Sequence, residues 1–140
     1  MKLKRLLLAT LLVGCNSTTT KKIVEVDINA LDLTGNISQT EEYWEVIKRV
    51  EPVYPAGAAR DDHSGCVEFI FIINESGKAQ NIQIIKSVPR NTFNKSATRA
   101  LKKFRWKATK KNSLLKPVLT TIQMDFTTLP MQIVARCIAN

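Results

Sequence analysis

The fold is decided by residues 65–87, GCVEFIFIINESGKAQNIQIIKS, near the middle of the 140-residue chain. In the first half of this segment, apolar side chains recur at every second position: Val67, Phe69, Phe71 and Ile73. This period predicts a strand with one buried face. Residues 74–77, Asn-Glu-Ser-Gly, provide a turn in which Gly77 can adopt a positive φ. A second strand follows the turn and is closed by Pro89, so the segment is predicted to be a β-hairpin.

The segments on both sides of the hairpin complete the predicted fold. Before it, residues 38–41 (Ser-Gln-Thr-Glu) match a capping box, and apolar residues at helical spacing predict a helix that ends at Pro52. After it, an apolar stripe over residues 93–104 predicts a second helix, and alternation over residues 118–126 predicts a third strand. We therefore predict an α+β domain, with a small, mostly antiparallel three- to four-stranded sheet and two helices packed on one face.

The N terminus has the layout of an export signal. Positive charges at Lys2, Lys4 and Arg5 precede an apolar run over residues 6–13. This eight-residue run is too short for a membrane-spanning helix, which needs roughly 20 residues. We therefore expect a signal peptide that is removed on export rather than a retained anchor.

Directly after the apolar run, residues 12–15 (Leu-Val-Gly-Cys) resemble the lipobox of bacterial lipoproteins. The resemblance implies that Cys15 becomes the acylated first residue of the mature chain and inserts its acyl chains into membrane lipid. The next residue is Asn16 rather than Asp, which by the sorting pattern of Gram-negative lipoproteins implies delivery to the outer membrane, facing the periplasm.

The composition excludes several classes of protein. Hydrophobic residues make up 44% of the chain and charged residues 24%, which is typical of a globular domain and not of a disordered chain. The one histidine, His63, argues against His-based metal sites and His-dependent triads. The sequence also has no Gly-x-Ser-x-Gly, no His-Glu-x-x-His and no phosphate-binding glycine loop. We therefore expect no catalytic residues, no metal and no cofactor.

The chain is basic, with 21 Lys and Arg against 12 Asp and Glu and a formal charge of +9. Lys95, Arg99 and Lys102 recur at helical spacing on the predicted second helix and form a basic face. Two interpretations remain open for this face: contact with anionic lipid or cell wall, or an ordinary solvated surface. Export argues against nucleic acid as the partner.

Two further cysteines follow Cys15, namely Cys66 and Cys137. Export to an oxidising compartment permits a disulfide between them. The alternative is two free thiols, because the bridge needs a Cα separation that a sequence does not contain.

From residue 49 to residue 126, an ordered series of segments resembles the C-terminal domain of the TonB family. The series consists of residues 51–56 (EPVYPA), 65–69 (GCVEF), 74–78 (NESGK), 82–87 (IQIIKS), 93–97 (FNKSA) and 100–107 (ALKKFRWK). The resemblance implies that an extended peptide of an outer-membrane receptor docks beside the last strand by β-augmentation. The family's better-known members tend to have Gln where this chain has Glu51, which replaces a hydrogen-bond donor by an acceptor.

Carried over by residue, this resemblance places a peptide-binding edge on the last strand, with Glu51 and Pro52 beside it. The edge would consist of Thr120, Thr121, Ile122, Gln123, Met124, Asp125 and Phe126. Energy-coupling TonB proteins combine such a domain with a transmembrane helix and a Pro-rich spacer, and this sequence shows neither. We therefore expect a binding module rather than a force transducer.

These observations lead to one functional hypothesis and one alternative. The hypothesis is a periplasm-facing lipoprotein that binds an envelope protein by edge-strand pairing, an outer-membrane receptor being the candidate partner in TonB-dependent transport. The alternative is a structural envelope protein that holds anionic lipid or cell wall through the basic face. The expected divisions are residues 1–14 (signal peptide), 15–37 (lipid anchor and tether), 38–129 (TonB C-terminal-like domain) and 130–140 (tail).

Overall fold

The computed structural model describes residues 29–128 and Cys137. The predicted signal peptide, Cys15 and the rest of the C-terminal tail lie outside the described residues. The helices and strands, in chain order, are β1 (Leu31–Asp32), α1 (Ile37–Tyr43), β2 (Trp44–Lys48), α2 (Ala56–Arg60), β3 (Gly65–Ile73), β4 (Ala79–Val88), α3 (Asn94–Leu101), β5 (Arg105–Ala108) and β6 (Val118–Phe126). A short 3-10 helix over Lys110–Asn112 precedes β6.

Four strands form the main sheet, in the spatial order β1-β6-β3-β4. β3 pairs antiparallel with both β4 and β6, whereas β1 is parallel to β6. β2 and β5 form a separate two-stranded antiparallel sheet. The predicted α+β class with a small, mostly antiparallel sheet is thus confirmed. β1 lies in the segment that was expected to be a tether, so the folded domain takes in residues before position 38.

The predicted hairpin is the centre of the core. The alternating residues Val67, Phe69, Phe71 and Ile73 of β3 are all buried, and α3 packs Ala97, Ala100 and Leu101 into the same core. Burial of such apolar side chains is the main favourable contribution to folding. The prediction of one buried face on β3 is therefore confirmed, although the opposite face of β3 also buries Cys66 and Ile72.

The prediction of one long helix from residue 38 to Pro52 is wrong. α1 ends at Tyr43, and β2 follows at once, pairing with β5 so that Val46 lies opposite Trp106. Trp44 is buried and its indole N–H donates to the carbonyl of Lys116 at 3.0 Å. This non-local pairing overrides the helical spacing, because it satisfies backbone groups and buries Trp44 at the same time.

The capping box is also placed wrongly. The N-cap of α1 is Asn36, whose side chain accepts a hydrogen bond from the Gln39 amide at 3.1 Å. Ser38 lies inside the helix. Asn is as good an N-cap as Ser, so the local sequence is compatible with a helix that begins after Asn36 or after Ser38.

No helix in the described part of the chain has the length and apolar character needed to cross a membrane.

Candidate functional site

The outer edge of β6 is open over most of its length within the described residues. β1 covers only its first residues, where the Leu33 amide donates to the Leu119 carbonyl at 2.9 Å. The next contact on this side is with a side chain, since the Gly35 amide donates to the Thr121 hydroxyl at 3.3 Å. From residue 122 to residue 126, no strand of the described chain pairs with this edge.

The structure corrects the predicted edge in two respects. β6 is not the outermost strand, because β1 lies beside its N-terminal end. Thr120 does not belong to the open edge: it is 3% exposed, and its hydroxyl lies 2.9 Å from the hydroxyl of Thr40. β1 and β6 pair in parallel although their residues are almost 90 positions apart in the chain. No local sequence pattern predicts this pairing.

The direction of the backbone groups along β6 follows from its two neighbours. The carbonyls of Pro117 and Leu119 accept hydrogen bonds from β1, so odd-numbered residues direct their backbone groups to the outer edge. Even-numbered residues pair with β3 in an unbroken register. Gln123 and Asp125 therefore present N–H and C=O groups at the open edge. The N–H groups of Ile122, Met124 and Phe126 belong to the ladder with β3.

The side chains divide in the same alternating way. Met124 and Phe126 are buried and Ile122 is half-buried on the core side. Gln123 is half-buried and Asp125 is exposed. The side-chain amide of Gln123 donates a hydrogen bond to the Asp125 carboxylate at 2.7 Å. The predicted edge residues are thus partly core and partly surface.

Glu51 and Pro52 lie near the open edge of β6. Together with Arg49 they line a cavity of about 170 Å³ whose opposite wall includes Gln123 and Asp125. The Arg49 guanidinium lies 3.5 Å from the Glu51 carboxylate and 6.0 Å from the centre of the Phe104 ring. Both charged side chains are largely exposed, so their ion pair contributes little to stability.

A second cavity, of about 230 Å³, lies between α1, β2 and the start of the open edge. Its lining is largely apolar and includes the aromatic residues Trp44, Phe71, Phe104 and Trp106, together with Ile122. The ring centres of Phe71 and Trp106 are 5.5 Å apart. The sequence prediction missed this cavity, because it assigned residues 44–48 to a helix; their β-branched and aromatic composition was the one available signal.

The segment that carries Glu51 and Pro52 is anchored by Tyr54. The Tyr54 ring packs edge-on against Phe93 at 5.5 Å and against Phe126 at 5.8 Å between ring centres. Phe93 and Phe126 are themselves stacked at 4.2 Å. The Tyr54 hydroxyl donates to the His63 carbonyl at 2.6 Å. This aromatic cluster ties residues 50–55 to the C-terminal end of β6.

Two of the three residues of the predicted basic face line a cleft. Lys95 and Arg99 line this cleft, which has a volume of about 660 Å³ and lies between α3 and residues 50–56. The third cation of this cleft is Lys103, not Lys102. Lys102 is the C-cap residue of α3 and is exposed outside the cleft.

Cys66 and Cys137 are joined by a disulfide in the structure, with their Cα atoms 6.1 Å apart. The Cys66 side chain is fully buried on the sheet face opposite the helices, and the Lys86 ammonium donates to the Cys137 carbonyl. The bridge links positions 71 residues apart in the chain.

Two groups of the described residues have shifted pKa values. Hydrogen bonds from the backbone and hydroxyl of Thr34 hold the pKa of Asp32 below its ordinary value. A hydrogen bond to Glu42 raises the pKa of Lys111. Both shifted groups lie at the surface, where each stabilises a local turn or ion pair. Among residues 29–128 and Cys137, no group of His, Cys, Asp and Glu has an arrangement that could hold a metal.

Residues 50–128 match the protein family described as Gram-negative bacterial TonB protein C-terminal. The chain therefore belongs to the TonB C-terminal family, and the predicted resemblance is confirmed. The chain is 32% identical over 62 residues to Protein TonB of Yersinia enterocolitica, covering 44% of this chain and 24% of that protein. It is 33% identical over 67 residues to Protein TonB of Salmonella typhimurium, covering 48% of this chain and 28% of that protein.

The fold has a counterpart among solved structures. The solution NMR structure of the Pseudomonas aeruginosa TonB C-terminal domain superposes with a TM-score of 0.53 at 23% identity, covering 69% of this chain and 91% of that one. Identity at this level shows the shared fold. The chain spans about a quarter of the length of the curated relatives it matches.

Proposed function

We propose that the domain binds an extended segment of a partner protein as an additional strand along the open edge of β6. The observation that carries this proposal is the juxtaposition of unpaired edge groups at Gln123 and Asp125 with the cavity lined by Glu51 and Pro52. An exposed strand edge is a template for pairing with another chain, and adjacent cavities select its side chains. The role is binding rather than catalysis.

The length of the open edge sets the size of the bound segment. Residues 121–126 extend about 20 Å at ~3.3 Å per residue, which accommodates about six residues of an added strand. The outward groups of Thr121, Gln123 and Asp125 offer up to about six backbone hydrogen bonds. Each such bond contributes roughly 0.5–1.5 kcal/mol net, so the backbone alone supports moderate affinity without sequence preference.

Sequence preference would come from the two cavities on the core side of the edge. Alternate side chains of an added strand point to the same side, about 6.6 Å apart. One side chain of the added strand would enter the apolar cavity lined by Trp44, Phe104 and Trp106. The side chain two positions along would enter the polar cavity beside Arg49 and Glu51. The partner segment should therefore carry an apolar residue and, two positions along, a polar one.

The edge hypothesis is tested by Gln123→Pro with Gln123→Ala as the matched control. The backbone N–H of Gln123 faces outward, so proline at this position removes one donor from the open edge. The hydrogen bonds between β6 and β3 remain intact. A proline at Ile122 would be unsuitable, because that amide belongs to the ladder with β3. Photo-crosslinking in cells from a photoreactive residue at Asp125 should capture an envelope protein in the parent and in Gln123→Ala. We expect a roughly two- to tenfold weaker crosslink in Gln123→Pro, the range for the loss of one edge hydrogen bond.

Thermal unfolding of both variants serves as the fold control for this experiment. A crosslink of equal strength in a folded Gln123→Pro variant would show that the partner does not pair with this edge.

We further propose that the protein is a lipoprotein acylated at Cys15, with the domain facing the periplasm and an outer-membrane receptor as its partner. The lipobox-like residues 12–15 and the relatives named TonB support this proposal. The divisions at residues 14 and 129, a tether that ends before β1, and a functional disulfide between Cys66 and Cys137 are part of the same proposal.

The lipid anchor predicts a defined N terminus. Mass spectrometry of the purified protein should find Cys15 as the first residue, carrying acyl chains, and the protein should sediment with outer membranes. Cys15→Ser should abolish processing and acylation. An intact Met1 in the membrane-bound protein would refute the lipoprotein proposal.

A further inference from the structure

The 660 Å³ cleft between α3 and residues 50–56 has its positive charge on one side. Lys95, Arg99 and Lys103 lie along the α3 wall, whereas the opposite wall, residues 50–56, contributes one carboxylate, Glu51. That carboxylate is already paired with Arg49. Within residues 29–128 and Cys137, none of the three cations forms an ion pair. The cleft therefore holds an excess of positive charge that no described carboxylate neutralises.

This cleft adjoins the candidate binding edge, because the two share one wall. Val50, Glu51 and Pro52 line both the cleft and the 170 Å³ cavity beside Gln123 and Asp125. The Ser96 hydroxyl on α3 donates to the Val53 carbonyl and holds the two walls together. A chain that leaves the edge of β6 past Pro52 would enter the cleft directly.

The spacing of the cations suits an extended acidic chain. Lys95 and Arg99 are four residues apart on α3, so they rise about 6 Å and share a face, and Lys103 lines the same cleft just after α3 ends. Alternate residues of an extended chain are about 6.6 Å apart on one side. Carboxylates at every second position would therefore meet successive cations. A recessed cleft walled by residues 50–56 fits such a chain better than a flat lipid surface.

We propose that this cleft binds Asp and Glu side chains that flank the strand-forming segment of the partner. The inference rests on the proposed edge pairing and adds a specificity determinant to it: an acidic stretch, with carboxylates at alternate positions, adjacent to the paired residues. The cations act by electrostatic complementarity, which favours partners with this flank and disfavours basic ones.

The experiment begins with selection of peptides from a random 15-residue display library on the purified full-length protein. The same selection is run on three variants: Gln123→Pro, the cleft variant Lys95→Gln/Arg99→Gln/Lys103→Gln, and the control Lys78→Gln/Lys107→Gln/Lys110→Gln. The control removes the same charge from exposed lysines outside the cleft. Parent and control should select peptides with Asp or Glu at alternate positions at one end. The cleft variant should still select peptides, without the acidic end.

Affinity measurements then determine how much the three cations of the cleft contribute to peptide binding. For a peptide selected by the parent, the cleft variant should bind about tenfold more weakly at 50 mM salt, since each exposed pair contributes at most about fivefold. The loss should shrink at 500 mM salt as screening increases. Replacing the acidic residues of the peptide by Asn and Gln should weaken binding to the parent by the same factor and leave binding to the cleft variant unchanged.

The outcomes separate the two proposals. Equal acidic enrichment in parent and cleft variant, with loss of selection in Gln123→Pro, would overturn this inference and leave edge pairing intact. Absence of selected peptides, or identical peptides for Gln123→Pro, would overturn both. If the cleft variant alone lost binding to phosphatidylglycerol vesicles while its peptides kept their acidic ends, the cleft would be a lipid site and the inference would be wrong.

Discussion

Replacing Gly77 by alanine should destabilise the domain by more than about 3 kcal/mol, as measured by urea unfolding followed through the fluorescence of the buried Trp44 and Trp106. Gly77 has φ +65°, which costs a side-chain-bearing residue roughly 1–2 kcal/mol. A Cβ atom there would also lie 2.0 Å from the Trp106 carbonyl oxygen. Relief of that clash requires the turn and β5 to separate, which breaks the 3.0 Å hydrogen bond from the Trp106 amide to the Gly77 carbonyl.

Gly35→Ala is the matched control for this prediction. Gly35 has a similar φ of +73°, but a Cβ atom there would meet nothing within 4 Å. The control should therefore lose only the cost of the left-handed conformation, roughly 1–2 kcal/mol. Equal losses in the two variants would show that the approach of Gly77 to β5 is not tight.

Phe93→Ala should lower the free energy of unfolding by about 3–5 kcal/mol, the usual range for a buried phenylalanine. Phe93 is fully buried and contacts both Tyr54 and Phe126 through its ring. Its removal takes away the packing that holds the Glu51–Pro52 wall against β6. Binding to the partner should therefore weaken as well, even in conditions where the variant remains folded.

Val53→Ala provides the control on the same segment. Val53 is 81% exposed, so its truncation should change the free energy of unfolding by less than about 0.5 kcal/mol. Chemical denaturation of both variants at one temperature makes the comparison direct. A loss below about 1 kcal/mol for Phe93→Ala would mean that the aromatic cluster does not hold this wall.

The parts of the fold that were predicted correctly have a strong local signal. The strands β3 and β6 and the helix α3 each have an apolar period whose residues lie in the core, and the turn at Gly77 places β4 beside β3. β2 was mistaken for helix, because Val46 and Ile47 occur at positions compatible with a helical stripe although both are exposed in the structure. Pairing with β5, about 60 residues later in the chain, decided its conformation.

In the candidate site, too, some features were predicted from local sequence and others depend on contacts between distant segments. Glu51, Pro52 and the end of β6 were located from segments that resemble the TonB family, and the structure places them around one cavity. The sequence did not predict that β1 pairs with Leu119. It also did not predict that Lys103, rather than Lys102, lines the basic cleft. Both depend on how α3 ends and on which strands meet, and neither is encoded in the spacing of neighbouring residues.

Local sequence patterns predict β3, β6 and α3, the turn at Gly77 and the family, because these depend on residues close together in the chain. The tertiary structure alone decided which edge of β6 is open, which side chains line the two cavities and where the excess positive charge lies. Those features arise from hydrogen bonds and contacts between segments tens of residues apart. The free energy of such contacts depends on relative position in space, which no local pattern specifies.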